Sequence, residues 1–460
     1  MRRAGTAAVA VLALAVVAGC SGGSTDNAGD QSSIKVWILE DLPDRVKATQ
    51  AIVDRFSQSA GVKVELVAVA EDQFTQLLTS SAAAGDLPDV VGGIPLPSVQ
   101  TMAGNDLIDT DAVGAVVDGL DKATFASRAL ELTRSGDKQL AVPSDSWTQL
   151  LLYRTDLFKA AGLAAPTSYE AIKAAAEKLD SGGVAGFVGA NTPGDAFTEQ
   201  TFEHVALGNG CQLVDQGGAV TIDSDACRNA FSFYGDLVKN YSTRGNQDVD
   251  TTRASYFAGK AAMFVWSSYV LDELAGLRKD ALPSCGPCKQ DPAFLAKNTG
   301  VVTTIQGPDS SKPAGFGEVS SWTITKDSAT DASSRFVRYM MSDGYVPWIS
   351  MTPEGKVPVR TGTPEARTTY SDQWAKLPIG VDTKAPMSRF YGASILDALA
   401  KGPSELSRWG ISTGHGDLIG ALQGEHPVAE AVNQVTTGSD VRQAVSTLGK
   451  DVRSVQESLK

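Results

Sequence analysis

Histidine is scarce in this sequence. His204, His415 and His426 are the only three, and they are scattered without the spacing that holds a metal ion, so no metal site is expected. No nucleophile elbow, Walker loop or dinucleotide fingerprint stands out, and no organic cofactor is implied. A glycosidase would need two placed carboxylates; among 53 acidic residues the sequence neither supplies nor excludes such a pair. Positive charge is also short. Lys and Arg number 40, the formal net charge is −13, and no basic patch appears, which argues against nucleic acid as a partner. After residue 20 no run approaches the ~18 apolar residues of a spanning helix. Repeats and all-β patterning, which a surface adhesin would show, are missing too.

What is present begins at the N-terminus. Arg2 and Arg3 precede an Ala, Val and Leu run from Ala7 to Ala18 that suits a signal-peptide core and is too short to span a bilayer. The run ends in Val17-Ala18-Gly19-Cys20, which resembles the lipobox of bacterial lipoproteins. The resemblance implies cleavage after residue 19, a lipid on Cys20, and attachment to the outer face of a cell membrane. Cleavage removes two arginines and no acids, taking the formal charge from −13 to −15. Residues 20–33 are Gly, Ser and small polar residues that bury too little surface to order themselves, so they read as a flexible linker. The mature chain of about 440 residues is too long for one core and suits two lobes. Outside the cell the four other cysteines favour disulfides. Pairing of neighbours, Cys211–Cys227 and Cys285–Cys288, is the simplest of three connectivities, and the sequence does not choose among them.

The order of elements predicts an α/β fold. Ile34–Leu39 reads as a buried strand, followed by a helix capped by Asp44 and closed near Gly61, with Val46, Ile52, Val53 and Phe56 inward. Residues 62–68 alternate as a second strand, a helix carries Phe74, Leu77 and Leu78 as far as Gly85, and Asp89–Val91 is a third strand. This alternation implies a mainly parallel sheet whose ligands lie beyond the carboxyl ends of its strands, where Glu40 and Asp41 fall. Further on, Leu150–Arg154 and Ala262–Val265 read as strands. Helices are expected after a capping-box spacing at Thr167–Glu170, over Asp225–Tyr241, from about Ser268, over Asp331–Ser342, and through much of the chain after Asp417. Gly307–Gly317 reads as a connection between larger units.

Several segments then fall in a familiar order. Val142-Pro143, Leu151-Leu152-Tyr153-Arg154-Thr155-Asp156-Leu157-Phe158 and Pro166-Thr167-Ser168-Tyr169-Glu170 resemble the "VP…LYYNKDLF…P.TW.E" run of the family 1 extracellular solute-binding proteins of ABC importers. Tyr256–Met263 resembles that family's "F..GKAAM", Ser320–Ile324 its "GGW.L.I", Phe336–Met340 its "FL.FL", and Gly355–Val359 its "G..P". The resemblance implies a two-lobed, type II periplasmic-binding-protein-like clamp, each lobe a mainly parallel sheet flanked by helices. Three hinge crossings are expected, near Ser144, Gly317 and Thr352. Residues 34–144 with 318–351 would form one lobe, and 145–317 with 352–460 the other. The implied activity is binding without chemistry: a monomer closes on a sugar, or on a glycerol phosphate or other polyol, and docks on the ABC permease in the membrane.

A pyranose offers a C–H-rich face and a rim of hydroxyls, so its site needs flat aromatic platforms and groups that donate and accept hydrogen bonds. Family position makes Trp322 and Tyr269 candidate platforms, with Trp147, Trp266 and Tyr391 beside them. Asp145, Arg389, Glu40, Asp41, Gln73, Glu199 and Gln200 are candidate hydroxyl partners. Trp37, Trp348, Trp374 and Trp409 are assigned to packing. A competing reading is a secreted thiol–disulfide protein using Cys285-Gly286-Pro287-Cys288. That chemistry needs the motif between a strand and a long helix, and Pro292 argues against the helix.

Overall fold

The computed structural model describes residues 31–460, so the expected signal segment and Cys20 lie outside the described residues. Strand β1 (Ser33–Ile38) opens a regular alternation with helix α1 (Pro43–Ala60), strand β2 (Lys63–Ala68), helix α2 (Phe74–Ala84), strand β3 (Val90–Ile94) and helix α3 (Leu96–Gly104). Pro43, not a capping Asp44, starts α1: proline's fixed φ suits the first helical position, and Asp44 sits in the first turn. Gly61 and Gly85 end α1 and α2 in the left-handed conformation that glycine adopts without strain.

Strand β4 (Val142–Arg154) organises the rest. Helices α4 (Ala196–Gly208) and α5 (Asp225–Tyr241) follow, then strands β5 (Met263–Ser267), β6 (Thr299–Val302) and β7 (Gly317–Ile324). Helices α6 (Thr330–Met340) and α7 (Tyr345–Ile349) lead to the short strand β8 (Val357–Pro358). The chain closes with α8 (Ala393–Glu405), α9 (Gly416–Leu422), α10 (Pro427–Thr437) and α11 (Val441–Ser458). The main sheet runs β8–β4–β7–β3–β1–β2, and β5 and β6 pair with the far end of β4. The pairs β1–β2 and β1–β3 are parallel, whereas β7 returns antiparallel to both β3 and β4.

Strand β4 changes partners in mid-course. Val142–Thr148 pairs with β7, while Gln149–Arg154 pairs with β5 and β6. This change of partner at Thr148–Gln149 lies a few residues beyond the crossing expected near Ser144. After 352 the chain contacts both expected lobes: Tyr391 donates to Leu271 O and Asp382 N–H to Leu277 O, whereas Arg360 Nε donates to Thr124 Oγ1. Val357–Pro358 pairs back onto Asp145 and Ser146, because a short antiparallel segment can satisfy the open edge of β4 there. The chain joins the second core, with Phe202, Phe231 and Tyr234, only from Trp409 onward.

Two other local expectations shift. Ser168, not Thr167, caps its helix by accepting from Ala171 N–H at 3.2 Å. The helix expected from Ser268 is a five-residue turn, Val270–Leu274. The disulfides are Cys211–Cys227 and Cys285–Cys288. Cys285 and Cys288 are both buried, and a 3-10 turn over Pro287–Lys289 follows the first cysteine where a redox motif would start a long helix. Among the described residues no helix is long and apolar enough to cross a membrane.

Candidate functional site

A cleft of about 1560 Å³ lies between two walls that meet where β4, β7 and the chain before β8 cross. Its first wall is the loop after β1, the loop after β2 and the exposed side of α2, contributing Glu40, Asp41, Arg45, Glu71, Asp72 and Thr75. Its second wall is the N-terminal turn of α4 with Phe197 and Gln200, then Arg253, Trp266, Tyr269 and His426. Trp147, Ser320, Trp348 and Lys356 form the floor. These positions follow from the fold: the carboxyl end of β1 delivers the first acidic residues, and the end of β5 delivers Trp266 and Tyr269.

The aromatic surface is built in two pairs. Trp147 meets Tyr269 edge-on with ring centroids 6.2 Å apart, and Phe197 leans on Trp266 at 5.9 Å. Trp266 is fixed by its indole N–H, which donates to Val249 O at 3.0 Å. Gly355 approaches so closely that an added Cβ would stand 2.1 Å from the Tyr269 ring, so only glycine lets that ring lie flat against the chain.

Every Lys and Arg lining the cleft is already matched. Arg45 bonds Glu40 at 3.2 Å and lies over the Tyr269 ring at 5.2 Å. Arg253 bonds Glu273 and stacks on Trp266 at 5.6 Å, and Arg278 pairs with Asp280. Lys356 sits 4.0 Å over Trp348 and 3.6 Å from Asp145, in a pair whose side chains are 3% and 0% exposed. A cation held this way is not free to seize an anionic solute. Behind Tyr269, burial and the neighbouring charge of Glu354 hold the Asp272 carboxyl well above the ordinary carboxylate range. His426, at a left-handed φ of 44°, has its pKa raised chiefly by its bond to Glu199.

Of the residues expected from sequence, Glu40, Asp41, Trp147, Gln200, Trp266 and Tyr269 line the cleft. Others do not. Trp322 is fully buried against Phe336 and Trp348, because β7 turns it over Gly92 into the sheet core. Tyr391 is buried and donates to Leu271 O. Asp145 lies beneath the floor, accepting from Trp348 Nε1 at 2.7 Å. Glu199 stands behind His426, while Arg389 and Gln73 are exposed outside the cleft. Sequence reasoning missed Arg45, Arg253, Trp348, Lys356 and His426. Of these, Arg45 carried a signal, standing five residues past Glu40 at the start of α1. It also passed over the G-x-S-x-G letters of Gly410–Gly414. There Ser412 Oγ accepts from Arg408 N–H and Arg128 Nη2, both at 2.8 Å, and the His415 ring faces Gln216 O instead. Among the described residues no group of three or more His, Cys, Asp or Glu could hold a metal ion.

The profile of bacterial extracellular solute-binding proteins matches residues 40–347, two-thirds of the chain. The chain belongs to that family. Members bind solutes for transport and are not enzymes. This solute-binding protein is 25% identical over 441 residues to the putative ABC transporter periplasmic-binding protein YcjN of Escherichia coli K12, covering 93% of each chain. Among solved structures it resembles the GacH receptor of Streptomyces glaucescens, described unliganded and with acarbose, at a TM-score of 0.69 and 20% identity over 93% of this chain and 99% of that one. It also resembles the maltose-bound MalE3 of T. maritima at 0.67 and 17% identity, over 92% and 99%. The solute-binding protein thus has the α/β fold of periplasmic binding proteins, as its sequence implied.

Proposed function

We propose that this protein captures a neutral carbohydrate of two or more rings in the cleft and delivers it to the permease of an ABC importer. The observation that carries the reading is the aromatic second wall. Trp266, Tyr269 and the floor residue Trp147 offer flat apolar faces beside the polar rim of Glu40, Asp72, Thr75 and Gln200. The cleft volume of about 1560 Å³ exceeds the ~300–1,000 Å³ usual for small-molecule sites, which favours more than one ring. The acarbose and maltose named for the GacH and MalE3 structures are consistent with a carbohydrate ligand. A glycerol phosphate is disfavoured because no cleft Lys or Arg is uncommitted, and a small polyol because it would leave the platforms unused.

The two walls belong to two lobes, one built on β1, β2 and β3 and the other on α4, α5 and β5. Ligand touches both only when they approach, so it stabilises the closed state by its differential affinity. A lipid on Cys20 would hold the protein at the outer face of the membrane, with residues 20–33 as a leash.

A thermal-shift screen over mono- and oligosaccharides, polyols and glycerol phosphates tests the reading. An oligosaccharide is expected to raise the melting temperature and to be recovered chemically unchanged. A response confined to glycerol phosphates would overturn it. For the anchor, Cys20→Ala should move the protein from the membrane fraction to the medium.

A further inference from the structure

Beneath the cleft floor lies a buried charge cluster, one member of which, Glu318, is the strand partner of the floor residue Trp147. Arg408, in the loop after α8, donates through Nη1 to Glu318 on β7 and places Nε 3.4 Å from Glu203 on α4. All three residues are at most 6% exposed. Glu318 also accepts from Leu96 N–H at 2.9 Å and Val319 N–H at 3.0 Å, so it caps α3, next to Pro95 on the cleft surface. Glu203 accepts from Trp409 N–H at 2.6 Å and stands one helical turn beyond Gln200 of the second wall. Arg408 therefore joins the support of one wall to the support of the other. Its guanidinium also lies 4.4 Å under the Phe316 ring, and Phe316 packs 5.5 Å from the floor residue Trp147.

We propose that Arg408, clasped between Glu203 and Glu318, is a positioning residue that sets the spacing of the two cleft walls. Removing one partner of such a buried group leaves a charge uncompensated, so the clasp responds sharply to the loss of a carboxylate charge. Glu203 is the member that loses it near neutrality. Burial pushes its pKa up to about 7, with the charges of Glu199 and Glu318 adding to the rise and Arg408 and Trp409 N–H opposing it. The adjacent His204 takes no part, since burial lowers its pKa to about 3 and its Nδ1 accepts from Phe316 N–H. Above pH 7 both carboxylates grip Arg408. Below it Arg408 is held by Glu318 alone, and the second wall is released from the first. Capture would then be tuned by the acidity outside the cell.

This inference rests on the two-walled capture reading, but its test uses no saccharide and can fail separately. Spin labels at the exposed positions of Ser80→Cys and Lys239→Cys report the interlobe distance in the ligand-free protein at pH 6 and pH 8. The distribution is expected to broaden as the pH falls, with a midpoint near 7. In Glu203→Gln it should be equally broad at both pH values, and Arg408→Lys should restore the narrow form only partly. His426 remains intact in Glu203→Gln. PH-dependent distances that persist in that variant would therefore assign the effect to another group, His426 or Asp272, and overturn the proposal, as would an unchanging distribution in the parent protein. Glu203→Gln keeps the shape of the side chain, so the test survives if the Arg408 variant does not fold.

Discussion

The two walls of the cleft are built on different principles. The second wall is largely pre-set: Trp266 is tied to Val249, Tyr269 lies flat on Gly355, and Asp272 is sealed behind them. The first wall is wet, with Asp41, Glu71, Asp72, Gln76 and Thr79 all exposed. A rigid platform loses little entropy when a ring stacks on it, and exposed polar side chains can adapt to different hydroxyl patterns. On the proposed carbohydrate reading, the contrast predicts that affinity depends mainly on the second wall and discrimination among sugars on the first.

That contrast can be broken most forcefully at its control. Trp322→Ala, in the sheet core, should cost about 3–5 kcal/mol of stability in urea denaturation while the folded fraction keeps its affinity. A loss of binding without a loss of stability would place Trp322 in the site after all. Trp266→Ala should do the opposite. It should weaken saccharide binding by about 1–3 kcal/mol in calorimetric titration and leave the fold intact.

The sealed backing of the second wall predicts a pH effect. The Asp272 pKa is raised on folding, so its stability contribution is complete below the ordinary carboxylate pKa of about 4 and is lost as pH rises toward the folded value. Asp272→Asn should therefore flatten the fall of melting temperature between pH 5 and pH 8, gaining roughly 1–2 kcal/mol at the alkaline end. Smallest of all, Asp72→Asn on the wet wall should change affinity by no more than about 0.5 kcal/mol and alter the ranking of sugars more than the strength of any one.

Much of the fold was legible because its elements are periodic. Ile52, Val53 and Phe56 mark the inner face of α1, and Phe231 and Tyr234 that of α5, whatever the tertiary context. The partner change in β4 was not legible, since pairing depends on strands more than a hundred residues away. The site divided in the same way. Trp266 and Tyr269 lie at the end of β5, where an open sheet places its ligands, and Trp147 lies where β4 changes partners. Trp322 failed because a strand residue's face depends on register, which the sequence does not print. A clue existed in Gly92, opposite Trp322 on β3, where an added Cβ would meet the indole at 2.0 Å. A glycine inside a buried strand often marks the close approach of something large. Lys356 and Arg253 were out of reach, because each meets the cleft through long-range packing alone.

The strand order β8–β4–β7–β3–β1–β2 has a temporal consequence. Strand β3 is made early, yet its neighbour β7 lies more than two hundred residues later, so the middle of the sheet stays open until residue 324 has been synthesised. Long-range closure of that kind is slow. Until then the growing chain has no complete sheet to fold around. The same late strand that turns Trp322 away from the cleft thus acts as a clock, postponing the native state until most of the chain has been made.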